Sequence, residues 1–488
     1  MLLKLASLAA LAVPGVVAQA AFPDISASKT CDALCQSLAK MGWEYETSHH
    51  VDPGFYVTPS NFSSHLKAGS VLGVEVSTNL TGYTVPSGLT MSRIIYTTTD
   101  LNGKVLPASA YILWPANKPL KRDGCSDAFP MVAWAHGTAG AFAACAPSDY
   151  TNLQYDFMVP YALALQGIVV VAADYAGLGI GSLPNGDKVS HAYGASPAQA
   201  NDVANAIIAA RSAFPLLAKS PFVTAGHSQG GGVAWAFAER QVKQPVEGYA
   251  GTVAWAPPSD IIGVIAEANR DLAQGNVTAS TYSMLGFVQR AVIAGITSVY
   301  PQFNFTGMTD IVYDRYQNVM AKIQACLPTD GLVYATVGIT DLGVASWTNT
   351  SIAQEFRART KTGGNQIAGP LLVMAGASDS AVSLKYVQAL VQETCDANSK
   401  GRNPPSIEFF TYEGQDHFPL IQASHSHWMQ WIKDRLHEAS KDKPTKALPG
   451  GCSKHTVEAF RSEFNQKQTL PNWLLEKASP QEIWKYIF

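Results

Sequence analysis

The chain has 488 residues, of which 47% are hydrophobic and only 15% carry a formal charge, so it holds enough apolar material for a large folded core. This composition excludes an intrinsically disordered chain. The formal net charge is −3 at pH 7 and no run of clustered Lys or Arg occurs, so electrostatics give no basis for binding nucleic acid.

The first twenty residues have the pattern of a secretory signal peptide. Lys4 is followed by a run rich in Leu, Ala and Val, and Ala18-Gln19-Ala20 then forms a small-residue cleavage site. We therefore expect a secreted, extracellular chain that begins at Ala21. Beyond this segment no run of about 18 apolar residues occurs, which predicts no integral membrane span and leaves transient contact with a lipid interface open.

Cysteines and glycosylation sequons fit an exported chain. Seven cysteines predict up to three disulfide bonds with one thiol left over. Spacing does not determine the pairing; we expect Cys145 with Cys326 and Cys395 with Cys452, since these bonds would tie an inserted segment and the tail to the body. Five Asn-x-Ser/Thr sites are predicted to lie on a surface open to N-glycosylation: Asn61, Asn79, Asn276, Asn304 and Asn349.

Short apolar runs recur along the chain. Alternating apolar and polar residues over residues 88–115, split by a turn at Asp100-Leu101-Asn102-Gly103, predict an antiparallel hairpin that opens a sheet. Six further runs alternate with helical stretches: Met131–Ala135, Ile168–Ala173, Phe222–Ala225, Gly251–Trp255, Leu371–Ala375 and Ile407–Tyr412. This alternation predicts an α/β fold with a mostly parallel central sheet flanked by helices on both faces.

The interval between the runs ending at Trp255 and starting at Leu371 is much longer than one crossover helix requires. We expect a helical cap there, with helices at Ile261–Ala273 and Thr309–Gln324; the alternative is a structural elaboration with no role toward a substrate. The expected boundaries are 1–20 for the signal peptide, 21–259 and 366–488 for the core, and 260–365 for the cap. Aromatic residues in the tail, Leu448 to Phe488, predict that it packs on the body.

The sequence Gly226-His227-Ser228-Gln229-Gly230 has the spacing of a nucleophile elbow. An apolar run precedes it and a helical pattern over Gly230–Val242 follows it, which is the context that the motif requires. A strand that turns at once into a helix holds the serine in a sterically poor conformation and leaves no room for side chains at 226 and 230. Ser228 is the predicted nucleophile, and a chance match in an ordinary turn is the alternative.

A serine needs a base, and the base needs a group that orients it. Chains with this elbow carry these groups in the order serine, acid, histidine. Asp379, in the loop after the run at Leu371–Ala375, is the predicted acid, with a helix N-cap as the alternative. His417, in the loop after the run at Ile407–Tyr412, is the predicted base.

Other titratable residues near these positions are interpreted as structural. His425 and His427 fall inside a predicted helix, and Asp416 is interpreted as a supporting or surface carboxylate. His136 precedes the nucleophile in the chain and is interpreted as structural for that reason. A metal site on the histidines is a weaker alternative, because no His-Glu-x-x-His or Cys-x-x-Cys cluster is present.

The oxyanion of a tetrahedral intermediate needs two donors. One is normally the backbone amide after the nucleophile, which is that of Gln229 here. The loop after the run at Met131–Ala135 carries the glycines that allow backbone to approach a substrate, and it supplies the second donor. We assign that donor to Thr138, with Gly137 as the rival.

Further motifs follow in order along the chain: Asp52-Pro53-Gly54-Phe55-Tyr56, Tyr96-Thr97-Thr98-Thr99-Asp100, His136-Gly137-Thr138 and Asp174-Tyr175-x-Gly177-x-Gly179. Together with the elbow, and over about residues 50–440, they resemble the fungal secretory lipase family of α/β-hydrolases. The resemblance implies an α/β-hydrolase core, a cap between nucleophile and acid, and a triad that falls on Ser228, Asp379 and His417. It also implies cleavage of carboxylic esters without a metal or organic cofactor.

The sequence therefore predicts a secreted, monomeric serine carboxylic-ester hydrolase, a lipase or esterase that acts on a triglyceride or on a small acyl or acetyl ester. The alternative is an α/β-hydrolase acyltransferase or peptidase that uses the same triad. A binding protein on an inactive fold is disfavoured because all three triad positions are occupied. Four residues of the cap are expected to line an acyl tunnel or to pack in the core: Met284, Leu285, Phe287 and Phe303.

Overall fold

The structure is a computed structural model that describes residues 21–117, 128–400, 403–441 and 448–460. The expected signal peptide, Cys125 and the tail residues 461–488 lie outside the described residues. Within them, no helix is both long and apolar enough to cross a bilayer. All five sequon asparagines lie in the described part, and each is exposed.

A ten-stranded sheet runs through the described residues. Its strands are β1 Val71–Glu75, β2 Leu89–Thr99, β3 Val105–Pro115, β4 Met131–Ala135, β5 Val169–Ala173, β6 Phe222–His227, β7 Tyr249–Trp255, β8 Leu371–Gly376, β9 Ser406–Tyr412 and β10 Gly451–Val457. Their order across the sheet is β1-β2-β3-β5-β4-β6-β7-β8-β9-β10. The first three pairings in that order are antiparallel, and the rest, from β5/β4 to β9/β10, are parallel.

The parallel strands are buried on both faces, which explains their continuous apolar runs. Every residue of β4, β5, β6 and β8 is buried. Successive side chains of β4 enter two different cores: Val132 and Trp134 pack in one, and Met131 and Ala133 in the other. The predicted α/β fold with a mostly parallel central sheet is confirmed.

Fourteen α-helices lie among the described residues. They are α1 Ala33–His49, α2 Pro160–Leu165, α3 Ser196–Ala213, α4 Gln229–Lys243, α5 Ile261–Ala273, α6 Ala279–Ser283, α7 Gln289–Val299, α8 Asp310–Arg315, α9 Ala321–Ile323, α10 Leu327–Val333, α11 Ser351–Thr360, α12 Leu384–Asn398, α13 Pro419–Ala423 and α14 His425–Ser440. α3 shares one core with the sheet, and α12 and α14 share the other. Helices thus cover both faces.

The segment between β7 and β8 holds the seven helices α5 to α11, which we call the helical insertion. The predicted helix at Ile261–Ala273 has the same first and last residues as α5. The predicted helix at Thr309–Gln324 is interrupted, because a π-helical turn at Tyr316–Met320 separates α8 from α9. A second π-helical turn, Met284–Val288, separates α6 from α7. Such turns displace the helix surface by one residue and are frequent at functional sites.

Three disulfide bonds are present: Cys31–Cys35, Cys145–Cys326 and Cys395–Cys452. The last two are the expected pairings. The Cys145–Cys326 bond joins the loop after β4 to the residue before α10, so it anchors the helical insertion to the sheet. The Cys395–Cys452 bond ties β10 to α12, which fixes the described start of the tail on the body.

The N-terminal segment also holds the helical insertion. The buried carboxylate of Glu46, in α1, accepts backbone N–H groups of Cys326 at 3.0 Å and of Thr329 at 3.1 Å, at the start of α10. Burial raises the pKa of Glu46 to about 7. Asp314, in α8, accepts the hydroxyls of Ser28 and Thr30 at 2.7 Å. The first described residues are therefore bonded to the helical insertion.

We predict that replacing both Cys145 and Cys326 with Ala destabilises the fold more than replacing both Cys31 and Cys35. The first bond closes a loop of 181 residues and the second a loop of only 4. Loop-closure entropy gives about 5 kcal/mol for the first and about 2 kcal/mol for the second. Thermal unfolding of the two double variants measures the difference; an equal loss would contradict this account of the anchor.

Candidate active site

Ser228 stands in the turn between β6 and α4 with φ 54° and ψ −124°, a conformation that L-residues rarely adopt. The surrounding packing holds it there. A Cβ added at Gly226 would lie 2.0 Å from the carbonyl oxygen of Gly230, and one added at Gly230 would lie 1.9 Å from that of Ala135. Glycine is therefore required at both positions, as the elbow spacing predicts. The Ser228 side chain lines a cavity.

Asp379 lies in the loop after β8 with only 1% of its side chain exposed. Its Oδ1 accepts the N–H groups of Ala381 at 2.9 Å and Val382 at 2.7 Å, which closes a turn. Its Oδ2 lies 2.9 Å from Nδ1 of His417. The alternative, that Asp379 caps a helix, holds only in part. Asp379 caps the turn in which it lies, but the N-cap residue of α12 is Ser383.

His417 enters from the loop after β9 and lines the same cavity as Ser228. The neighbouring carboxylate of Asp416 fixes this loop, because its Oδ1 accepts the backbone N–H of His417 at 2.7 Å and the N–H and hydroxyl of Ser380 at 2.7 and 2.8 Å. Asp416 thus joins the loop of the histidine to the loop of Asp379. His417 is thus held through its Nδ1 by Asp379 and through its backbone by Asp416.

The rival histidines lie elsewhere. His425 and His427 fall in α14, where His425 packs on Trp428 and Nδ1 of His427 lies 2.9 Å from the Tyr412 hydroxyl. His136 is buried, its ring stacks on that of Tyr175, and burial lowers its pKa to about 4. Among the described residues, no group of three or more His, Cys, Asp or Glu is placed to hold a metal ion.

The loop that follows β4 borders the cavity at Thr138. Its hydroxyl lies 2.7 Å from that of Tyr193, which also lines the cavity. Gly137, the rival donor, is engaged differently: its backbone amide hydrogen-bonds to the hydroxyl of Tyr155. A Cβ at position 137 would lie 1.9 Å from that hydroxyl oxygen, so the close approach requires glycine. Thr138 as the second oxyanion donor stays a prediction.

Gln229 begins α4, where the first backbone N–H groups have no partner within the helix. Its side chain is turned away from the cavity, because Nε2 donates to Nε2 of the buried His191 at 3.2 Å. His191 in turn donates from Nδ1 to the carbonyl oxygen of Ala176 at 3.1 Å. Burial lowers the pKa of His191 to about 4, which keeps the ring neutral and able to accept from Gln229.

A buried hydrogen-bonded chain links the three loops of the site. The Tyr155 hydroxyl accepts from Gly137 and donates to Nδ1 of His227 at 2.8 Å. Nε2–H of His227 then donates to the backbone carbonyl of His417 at 3.0 Å. His227 is fully buried, and burial lowers its pKa well below the ordinary value. The neutral ring therefore connects the elbow to the loop of the histidine.

The cavity has a volume of about 330 Å³ and lies between the sheet and the helical insertion. Its wall on the insertion side is mostly apolar and includes residues of both π-helical turns. The side chains on that wall include Met284, Phe287, Val288, Tyr316, Met320 and Leu327. Of the four residues expected in a tunnel or core, Met284 and Phe287 line the cavity, and Leu285 and Phe303 are packed in the core of the insertion.

Sequence reasoning missed Tyr155, Tyr193 and His191. Each contacts a site residue that is between 38 and 72 positions away in the chain. Tyr155 also has a positive φ of 44°, and its ring packs edge-on against that of Trp134. No spacing motif marks these residues, because their contacts arise only when the loops meet.

Comparison with known proteins places this chain in a family. Residues 145–443 match the family model described as secretory lipase, which covers more than half of the chain. The chain belongs to the secretory lipase family. A comparison with curated protein sequences gives no match.

Solved structures share the fold. Lipase A of Candida antarctica, in its closed state, is 17% identical, with a TM-score of 0.61 over 82% of this chain and 90% of that one. The rice cell wall degrading esterase LipA of Xanthomonas oryzae is 17% identical, with a TM-score of 0.54 over 77% of this chain and all of that one. At these identities the likeness establishes the α/β-hydrolase fold.

We predict that Gly230→Ala lowers the free energy of unfolding by more than about 2 kcal/mol, because its methyl group would overlap the backbone of Ala135. Gly286→Ala is the matched control, since a Cβ there meets nothing within 4 Å. That change is expected to leave stability unchanged or to raise it. Thermal unfolding followed by circular dichroism compares the two; equal stability would contradict the close packing at the elbow.

Proposed function

We propose that this member of the secretory lipase family is a secreted serine carboxylic-ester hydrolase, a lipase or esterase, with Ser228 as nucleophile, His417 as general base and Asp379 as the group that orients the base. The observation that carries the proposal is the Asp379–His417 hydrogen bond of 2.9 Å beside a cavity that Ser228 also lines. The substrate is a triglyceride or a small acyl or acetyl ester.

In the first half of the reaction, Nε2 of His417 takes the proton of the Ser228 hydroxyl as the serine oxygen bonds to the ester carbonyl carbon. The carbonyl oxygen becomes an oxyanion, which accepts hydrogen bonds from the backbone amides of Gln229 and Thr138. When the intermediate collapses, the alcohol leaves with the proton from His417, and the acyl group remains on Ser228. Asp379 stabilises the imidazolium that forms in between.

In the second half, His417 takes a proton from a water molecule that attacks the acyl carbon. The same two amides hold the oxyanion, and the carboxylic acid leaves as Ser228 regains its proton. No metal or organic cofactor takes part in these steps.

The cap follows from the same proposal. Residues 260–365, inserted between core segments 21–259 and 366–488, would cover the nucleophile and supply the apolar wall on which an acyl or alcohol group packs. The side chains of Met284 and Phe287 support this, since they face the cavity that Ser228 lines. A monomer exported through residues 1–20 and glycosylated at the five exposed sequons completes the proposal.

We predict that Ser228→Ala abolishes ester hydrolysis, with a loss of at least about 10⁴-fold, because the reaction then lacks its nucleophile. Ser399→Ala, at an exposed serine after α12, is the control and should keep full activity. The assay uses p-nitrophenyl esters from acetate to palmitate, beside an emulsified triglyceride. Labelling of wild type but not Ser228→Ala by a fluorophosphonate, seen as an intact-mass shift, identifies the serine.

Two outcomes would replace this proposal. Serine-dependent cleavage of p-nitroanilides in preference to the esters would favour a peptidase. Serine-dependent transfer of the acyl group to an added alcohol in preference to water would favour an acyltransferase. Full ester hydrolysis by Ser228→Ala would exclude the proposed mechanism.

We further predict that Tyr155→Phe lowers kcat by about 10- to 100-fold with little change in KM. The variant leaves the buried Gly137 amide and Nδ1 of His227 without a partner, at a cost of about 1–3 kcal/mol each. Tyr111→Phe is the control, because the buried Tyr111 hydroxyl has no hydrogen-bond partner among the described residues. Equal kinetics in the two variants would show that the buried chain does not position His417.

A further inference from the structure

One carboxylate interrupts the apolar wall of the catalytic cavity. Asp330, in α10, lines the cavity with 15% of its side chain exposed. The side chains around it on the insertion side include Phe287, Met320 and Leu327, which offer no hydrogen bonds. A cavity built only for a saturated acyl chain would not need a carboxylate in this place, because covering it with hydrocarbon costs free energy.

Asp330 is held by a buried partner. Arg290, in α7, is 1% exposed and donates from Nη2 to Oδ1 of Asp330. The guanidinium lies over the ring of Tyr334, with Cζ 3.9 Å from the ring centroid. Because Arg290 itself does not line the cavity, the ion pair presents only its acidic half to whatever occupies that space.

The second oxygen of Asp330 remains available. Among the described residues, no hydrogen bond reaches Oδ2, and the Asp330 side chain keeps part of its surface open to the cavity. Tyr316, in the second π-helical turn, lines the cavity too. Burial raises the pKa of Tyr316, and the charge of Asp330 raises it further. Together they form a polar patch within the apolar wall.

We propose that Asp330 is a substrate-binding subsite, whose Oδ2 accepts a hydrogen bond from a hydroxyl group carried by the ester substrate. A hydroxyl fits better than an ammonium group, since Arg290 already neutralises the charge of the carboxylate. An anionic substituent fits less well, because neither it nor the ionised carboxylate of Asp330 carries a proton for a hydrogen bond between them. The inference rests on the proposed function, because it concerns the cavity that Ser228 lines, and it narrows the substrate class from any apolar ester to a hydroxylated one.

The physical basis is the asymmetry of buried polar groups. A substrate that carries the hydroxyl replaces the water lost by Asp330, whereas an alkyl substrate of the same length buries the oxygen without a partner. A site built to bind a hydroxyl therefore discriminates strongly against the analogue that lacks it. Preference for the hydroxylated ester is expected at one hydroxyl position only, because the carboxylate occupies one place on the wall.

The test is a hydroxyl scan with the full-length protein. Three series of p-nitrophenyl esters are compared: straight-chain alkanoates from butanoate to dodecanoate, the same esters with a terminal hydroxyl, and the same esters with a terminal ammonium group. A parallel pair of alkyl acetate series, without and with a terminal hydroxyl on the alkyl group, tests the alcohol side. We expect wild type to favour the hydroxylated ester by about 10- to 100-fold in kcat/KM at one chain length, the range for a buried hydrogen bond to a charged acceptor.

The variant is Arg290→Met/Asp330→Leu, which replaces both halves of the ion pair. Exchange of a buried pair for apolar residues of similar size is often neutral for stability, whereas removal of one half leaves a buried charge unpaired. The double variant is expected to unfold near the wild-type temperature, to lose the hydroxyl preference and to gain activity on alkanoates. Phe287→Leu, in the same wall, is the control that should keep the preference at the same chain length.

The outcomes separate the two proposals. Absence of a preferred hydroxyl position in wild type, or a double variant that slows both series by the same factor, would overturn the subsite and leave the ion pair as a brace between α7 and α10. A preference for the terminal ammonium ester instead of the hydroxyl ester would overturn the assignment of the ligand class. Failure of the serine mechanism would appear differently, as turnover of every ester that does not depend on Ser228.

Discussion

The steric fit of two glycines around Ser228 is the constraint on which this site depends. α4 begins so close to β4 and β6 that Gly226 and Gly230 cannot carry even a methyl group without meeting backbone oxygen. The backbone at Ser228 is held in the left-handed half of conformational space as a result. Because the strain is borne by a turn between two buried elements, the side chain of Ser228 is fixed in the cavity, and His227, one residue earlier, points into the core.

Ser228 and His227 point in opposite directions, and the inward orientation of His227 has a second effect. The buried His227 reaches Tyr155 on one side and the backbone of His417 on the other, so loops that follow three different strands share one hydrogen-bonded chain. Asp416 adds a second connection, between the loops of Asp379 and His417. The elbow is thus rigid in itself and also the part to which the other loops are fixed.

Much of this arrangement can be predicted from local sequence patterns. The buried strands β4 to β9 have continuous apolar runs, and their ends were predicted to within two residues. β1 and β10 were missed because they lie at the sheet edges, where Gly73 and the exposed Lys454 and His455 give neither an apolar run nor a clear alternation. The π-helical turn at Tyr316–Met320 was missed because its residues have ordinary helical character, and only tertiary packing decides the extra residue per turn.

The residues of the candidate site also divide into those that the sequence predicts and those that only the structure reveals. The elbow spacing and the chain order of acid and base selected Ser228, Asp379 and His417, and the structure brings the last two into contact. The sequence could not reveal that Asp379 also closes its own turn, nor that Tyr155, Tyr193 and Asp330 border the site. A carboxylate at position 330 has the sequence context of an ordinary residue in the first turn of a helix. Only the cavity on one side of it and the buried Arg290 on the other give it significance.

The bonds of the N-terminal segment bear on the order in which the molecule is assembled during synthesis. Glu46 finds its partners at Cys326 and Thr329, and Ser28 finds its partner at Asp314, about 280 residues later in each case. At ordinary rates of translation, on the order of tens of seconds pass before those partners exist. While the strands of the sheet are synthesised, α1 therefore lacks these partners, and the carboxylate of Glu46 stays exposed to water. The first helix of the described residues is therefore among the last to reach its final place.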